Sequence, residues 1–158
     1  MEECKVHKED LQKAEAMAKE LGGLRNSITK GQGNLAGFLG EVVVARVTGS
    51  QHKNTYDYDL VSPAGHTVDV KTKRTNYPPK DYYSCSVAGF NTRQKCDVYC
   101  FVRVKNDMSK VWILGYYPKE RYFQDATFHK KGEVDPDNSF TFKADCYNLP
   151  INQLVDLC

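Results

Sequence analysis

Residues 56–73 read Tyr-Asp-Tyr-Asp-Leu-Val-Ser-Pro-Ala-Gly-His-Thr-Val-Asp-Val-Lys-Thr-Lys. Their period-2 alternation predicts two short strands around the turn Ser62-Pro63-Ala64-Gly65. On the second strand Thr67, Asp69, Lys71 and Lys73 share one face, and Val68 and Val70 take the other. On the first strand Asp57, Asp59 and Val61 share a face.

The register decides which acids meet, because a slip of one residue turns every side chain over. A two-residue loop would set Asp59 against Val68. Pro63-Ala64-Gly65 suits a three-residue loop instead, with proline fixing the first φ and glycine taking the left-handed position. Ser62 then faces His66, Asp59 faces Asp69, and Asp57 is misaligned. Two carboxylates directly across a strand pair repel. Lys71, on the same side, neutralises them if the hairpin is only structural. A divalent cation is the other compensation, and hard oxygen ligands on a rigid hairpin suit Mg²⁺ or Mn²⁺.

Asp59 followed by Asp69-Val70-Lys71 resembles the D…(D/E)xK signature of the PD-(D/E)xK nuclease superfamily, the restriction-endonuclease-like fold. The leading proline of that signature is absent. An apolar helix carrying Glu41 precedes the hairpin and an apolar strand follows it, which is the order the family uses. The likeness covers roughly residues 31–105. It implies an α/β fold, a mixed β-sheet flanked by α-helices, and a Mg²⁺-dependent deoxyribonuclease. By the same resemblance Asp59, Asp69 and the Val70 carbonyl hold the metal, and Lys71 orients or deprotonates the attacking water. Glu41 is the helix acid that faces the metal site and would serve a second ion. Its alternatives are an ordinary salt bridge or a half-exposed position; Arg46 is the obvious partner, but five residues along a helix do not face each other.

Length and composition agree with one domain over residues 1–158. At 41% apolar and 11% aromatic the chain is globular rather than disordered. Lysine and arginine number 22 against 20 acids, so the net charge of +2 does not announce a polyanion partner. That case rests on local clusters. Lys73 and Arg74, with Tyr77, Tyr82 and Tyr83 interleaved, and then Arg93, Gln94 and Lys95 beside Asn91 and Thr92, are expected to contact nucleic-acid phosphates. The polar stretch 124–138, with Glu133, Asp135 and Asp137, would repel a phosphate backbone. No apolar run approaches a membrane span and no signal-peptide order opens the chain, so a cytoplasmic protein without a membrane partner is expected. Six scattered cysteines are then expected to stay reduced, Cys96 and Cys100 as core residues on one strand face.

The other elements follow from periodicity. Helices are predicted over 8–21 and 34–47, with Gly37 and Gly40 offering a surface that a strand could approach. Strands are predicted over 83–88, 97–105, 111–117 and 140–147, a short helix from Pro118 and a closing helix over 150–157. His7, His52, His66 and His129 lack metal-ligand spacing, and no P-loop, dinucleotide fingerprint or Ser/Cys nucleophile context appears. The expected activity is phosphodiester hydrolysis in DNA, by an endonuclease of low sequence specificity or selective for structure. Small size favours a homodimer if both strands are cut. The alternative is a catalytically inactive nucleic-acid-binding or protein-interaction module on the same fold.

Overall fold

A computed structural model of the chain describes residues 1–22, 32–53, 55–89, 93–135 and 139–156. Its elements, in order, are β1 (Glu2–Lys5), α1 (Lys8–Gly22), α2 (Gln32–Thr48), β2 (Gln51–His52), β3 (Leu60–Val61), β4 (Thr67–Thr75), β5 (Ser84–Ala88), β6 (Val98–Lys105), β7 (Lys110–Pro118), α3 (Lys119–Asp125), β8 (Thr127–His129) and β9 (Cys146–Pro150), then a 3₁₀ turn over Ile151–Gln153. Six strands form a mixed sheet in the order β1-β7-β6-β4-β3-β2, and β5-β9-β8 form a second sheet. β4 and β6 run parallel while their other neighbours are antiparallel. The result is an α/β domain in which a mixed sheet is flanked by three helices.

Alternation along the central strands builds two cores. Val68 and Val70 of β4, Cys100, Val102 and Val104 of β6, and Val111 and Ile113 of β7 face one way, against Leu39, Val43 and Val44 of α2. Tyr99, Phe101, Trp112 and Leu114 face the other way, toward Cys85, Val87, Tyr122 and Leu149. Burial on both faces explains why β6 reads as almost continuously apolar. Asp69, Lys71 and Lys73 therefore point into the space shared with β5, on the side away from α2.

Helix α2 lies close on β4. A Cβ at Gly40 would stand 2.5 Å from the Thr72 Oγ1, whereas one at Gly37 would meet nothing within 4 Å. Only Gly40 supplies the close approach. Gly→Ala in a helix ordinarily stabilises by about 0.5–1 kcal/mol. Here Thr72 is β-branched and its hydroxyl is buried without a hydrogen-bond partner, so it has little room to turn. Gly40→Ala is expected to destabilise by about 1–3 kcal/mol, and Thr72→Ala in the same chain should remove most of that penalty. Urea unfolding of the two single variants and the double variant measures this; a Gly40→Ala protein at least as stable as the parent overturns the close-contact argument.

Several expectations need correction. Residues 140–147 are not one strand: Thr141 makes a single antiparallel bridge with Val134, Phe142 stacks on His129 with ring centroids 4.3 Å apart, and continuous pairing begins only at Cys146. The polar stretch 124–138 contains β8. The closing helix is one 3₁₀ turn, after which Val155 pairs with Tyr116 through hydrogen bonds of 2.8 and 2.9 Å. Gly115, at φ +144°, makes room for this, since a Cβ there would stand 2.7 Å from the Val155 carbonyl oxygen. Cys96 and Cys100 do not share a face. Cys96 precedes β6 and packs in the aromatic core, and Cys100 packs in the core under α2. The short strands β1, β2 and β8 carry too few residues to show a period. Among the described residues no helix is long and apolar enough to cross a membrane.

Candidate active site

The turn between β3 and β4 forms the register that its composition predicts. Gly65 sits at φ +89°, its N–H donates to the Ser62 carbonyl at 2.8 Å, and the Ser62 N–H donates to the His66 carbonyl at 2.8 Å. Leu60 pairs with Val68 and Val61 with Thr67, so the register continued by one step sets Asp59 against Asp69. β3 then stops. The uncovered edge of β4 is taken by the Asp59 side chain, whose Oδ2 accepts the Val70 N–H at 2.8 Å. Asp57, out of line, accepts the Lys95 N–H at 3.0 Å instead.

Asp69 is 3% exposed. Its Oδ2 lies 2.7 Å from the Lys71 ammonium, and that oxygen is otherwise buried without a well-aligned hydrogen bond. Lys71 also donates to the Gln94 Oε1 at 2.9 Å and sits 5.6 Å from the centroid of the Tyr99 ring beneath it. Gln94, itself buried, donates through Nε2 to the Tyr56 carbonyl at 3.0 Å and reaches Asp69 Oδ1 at 3.5 Å. Lys119 donates to the Gln94 backbone carbonyl. Gln94 is thus a clamp across the acid–lysine pair, and it belongs to this cluster rather than to the exposed basic loop on either side of it.

Glu41 is 7% exposed, and its Oε1 lies 3.1 Å from His52 Nε2. Arg46 is not its partner: it forks onto Asp10 at 2.9–3.2 Å. Glu41 comes from the helix side of the sheet, but its charge is felt by Asp59. The Asp59 carboxyl is pushed up to about 8, first by burial, then by the neighbouring Glu41 and Asp69 charges, against a lowering by the Val70 N–H. Three acids thus crowd one sheet edge, with Lys71 on one side and His52 on the other.

The basic residues divide. Lys73 shares the face of Asp69 and Lys71, whereas Arg74, the next residue along β4, is exposed on the opposite, α2 side. The two cannot line one groove. Arg93 and Lys95 are exposed on either side of Gln94. Asn91 and Thr92 lie outside the described residues. His52, Tyr99 and the Gln94 clamp have no signal in spacing, since each is placed by tertiary contact.

The donor set suits a hard divalent cation. Asp59 and Asp69 present carboxylate oxygens side by side, one Asp69 oxygen is buried and met only by Lys71, and a strand residue turns its carbonyl to the same side as its N–H, so Val70 adds an oxygen near Asp59. Among the described residues no three His, Cys, Asp or Glu side chains come together as a group that could hold a metal ion by themselves. Mg²⁺ does not need one, because it usually takes one or two carboxylates and completes its shell with water and substrate phosphate. Compared with known protein families and with curated proteins, the chain matches none.

Proposed function

We propose that this protein is a metal-dependent nuclease, with a restriction-endonuclease-like core, that hydrolyses phosphodiester bonds in DNA. The observation that carries the reading is the meeting of Asp59, Asp69 and Lys71 at one buried sheet edge, with Gln94 holding the lysine. The order of elements supports it as well: a helix with an inward acid, a hairpin, and a central strand parallel to β6. A Mg²⁺ or Mn²⁺ ion held by Asp59, Asp69 and the Val70 carbonyl would supply a charge sink and a more acidic bound water. Lys71 would hold its ammonium where charge builds on the phosphoryl oxygens and orient the attacking water or, as the neutral amine, take a proton from it. Gln94 limits the lysine to that direction. Glu41 would serve a second ion in exchange for its contact with His52. The cleavage proposed is of low sequence specificity or selective for DNA structure. Cutting both strands would take two copies of the chain.

One observation favours the rival, a non-catalytic binding or interaction module. The 2.7 Å pair of Lys71 with Asp69 balances charge without any metal. The deciding experiment incubates the protein with linear, circular, single-stranded and branched DNA under defined metal conditions. Cleavage is expected with Mg²⁺ or Mn²⁺, to vanish in excess EDTA, and to be poor with Ca²⁺, whose larger and looser shell positions water badly. Cleavage undiminished by EDTA overturns the metal assignment. DNA binding without cleavage of any substrate favours the module.

A further inference from the structure

Lys73 and Arg103 are register partners on the parallel strands β4 and β6, on the face that carries Asp69 and Lys71. Like charges on adjacent strands repel, and a sheet rarely keeps them without compensation. Arg103 is 7% exposed, yet among the described residues neither cation forms an ion pair with a carboxylate. The guanidinium donates to the Ser84 carbonyl at 3.1 Å and lies 5.6 Å from the Tyr83 ring, which leaves most of its five donors unused. A cation–π contact is small beside the cost of burying an unpaired charge. Surrounding protein lowers the affinity of both groups for their protons, and for Lys73 the Arg103 charge adds to this.

Both cations line a cavity of about 180 Å³ between the main sheet and β5, together with Lys71, Ser84, Ser86 and Phe101. The Ser84 hydroxyl has no protein partner among the described residues, whereas Ser86 shares a 2.6 Å hydrogen bond with the Asn148 Oδ1. No acidic side chain lines this space. A half-open pocket with two unpaired cations and a free hydroxyl suits an anion.

We propose that Lys73, Arg103 and Ser84 bind a phosphate group of a nucleic-acid strand, next to the one acted on at Lys71. The identity of the anion rests on the nuclease reading; the existence of the anion site does not. Lys71 and Lys73 are two residues apart on one strand face, roughly 6.6 Å. A phosphate seated at Lys73 and Arg103 therefore fixes the strand one step away from the acids. That phosphate is either a terminal monoester or an internal diester.

Trp112 pairs with Arg103 on β7 and is the single tryptophan of the chain, so its fluorescence reports on the site. The experiment titrates the metal-free protein in EDTA with inorganic phosphate, at ionic strength held constant with chloride. It then titrates short single strands that carry a 5′-phosphate, a 3′-phosphate or neither. Saturable phosphate binding is expected, and Lys73→Gln and Arg103→Gln should each weaken it by roughly tenfold or more, the scale of one charge-assisted hydrogen bond. Lys73→Gln alters an exposed residue and carries the test if Arg103→Gln does not fold. A preference for one phosphorylated end that is lost in the variant assigns a terminal phosphate. Equal weakening for all three strands assigns an internal diester. No saturable response to phosphate, or variants that bind phosphate and strands as tightly as the parent, overturns the site whether or not the protein cleaves DNA. If phosphate and strands bind here but no DNA is cut with Mg²⁺, the nuclease reading fails and the anion site stands.

Discussion

Asp69→Asn is expected to abolish metal-dependent cleavage, by roughly 10³ or more in rate, since losing one of two metal carboxylates removes several kcal/mol of stabilisation. The substitution keeps the side chain's shape and its approach to Gln94 Nε2, so the fold should survive. It also removes a buried negative charge, so without metal the variant should bind DNA at least as tightly as the parent, because a carboxylate near a phosphate repels it. Lys71→Ala tests the other partner. Both carboxylates remain and metal should still bind, but hydrolysis should fall by roughly 10²–10⁴, the usual scale for a positioned proton-transfer group. Removing Lys71 also leaves Asp69 Oδ2 buried with no counter-charge, since among the described residues the 2.7 Å ammonium is the one cation paired with it. Lys71→Ala should therefore unfold more easily than the parent in EDTA and recover part of the loss in Mg²⁺. Initial rates on a labelled duplex, with gel-shift affinity in EDTA, separate these effects. If both variants cut as fast as the parent, Asp59, Asp69 and Lys71 are not the catalytic set.

The site was legible where local chemistry sets geometry. Pro63 and Gly65 fix the loop length, loop length fixes the register, and the register alone brings Asp59 to Asp69. The two-sided burial of β6, and the split of Val111 and Ile113 from Trp112 and Leu114, follow in the same way from a period of two. Strand alternation also separates Arg74 from Lys73, which grouping by charge along the sequence does not respect. What spacing could not show depends on contacts between distant segments. Gln94 stands in a polar run with no period, and its neighbours Tyr56, Asp69 and Lys71 come from segments 23 to 38 residues away. Arg46 finds Asp10 on α1, 36 residues away, rather than Glu41 on its own helix. Arg103 reads as one polar residue in an apolar strand, and only the fold shows it beside Lys73 with no acid opposite. The C-terminal segment looks amphipathic and helical, but Tyr116 offers a free strand edge that Val155 takes instead.

The Asp59 carboxyl gives the proposed metal site a second signature, in stability rather than in rate. Its folded-state pKa, about 8, lies far above that of an exposed aspartate. Between the unfolded and folded values the native chain keeps a proton that the unfolded chain has released, so unfolding releases a proton and rising pH favours it. The contribution of this group to stability is full below about pH 4 and is lost as pH climbs toward 8, by up to about 1.4 kcal/mol per pH unit. Tm should therefore fall as pH rises across that window. Thermal unfolding in EDTA from pH 5 to pH 9 should show it. Asp59→Asn should flatten the slope and be more stable than the parent at pH 8, because an amide meets no repulsion from Glu41 and Asp69. Mg²⁺ should act in the opposite sense. At pH 8 it binds the ionised pair and stabilises the parent, by about 2.7 kcal/mol when its concentration is a hundred times the Kd, and it should do much less for Asp59→Asn. Parent and variant with the same pH slope and the same response to Mg²⁺ would mean that Asp59 neither holds the proton nor meets the metal.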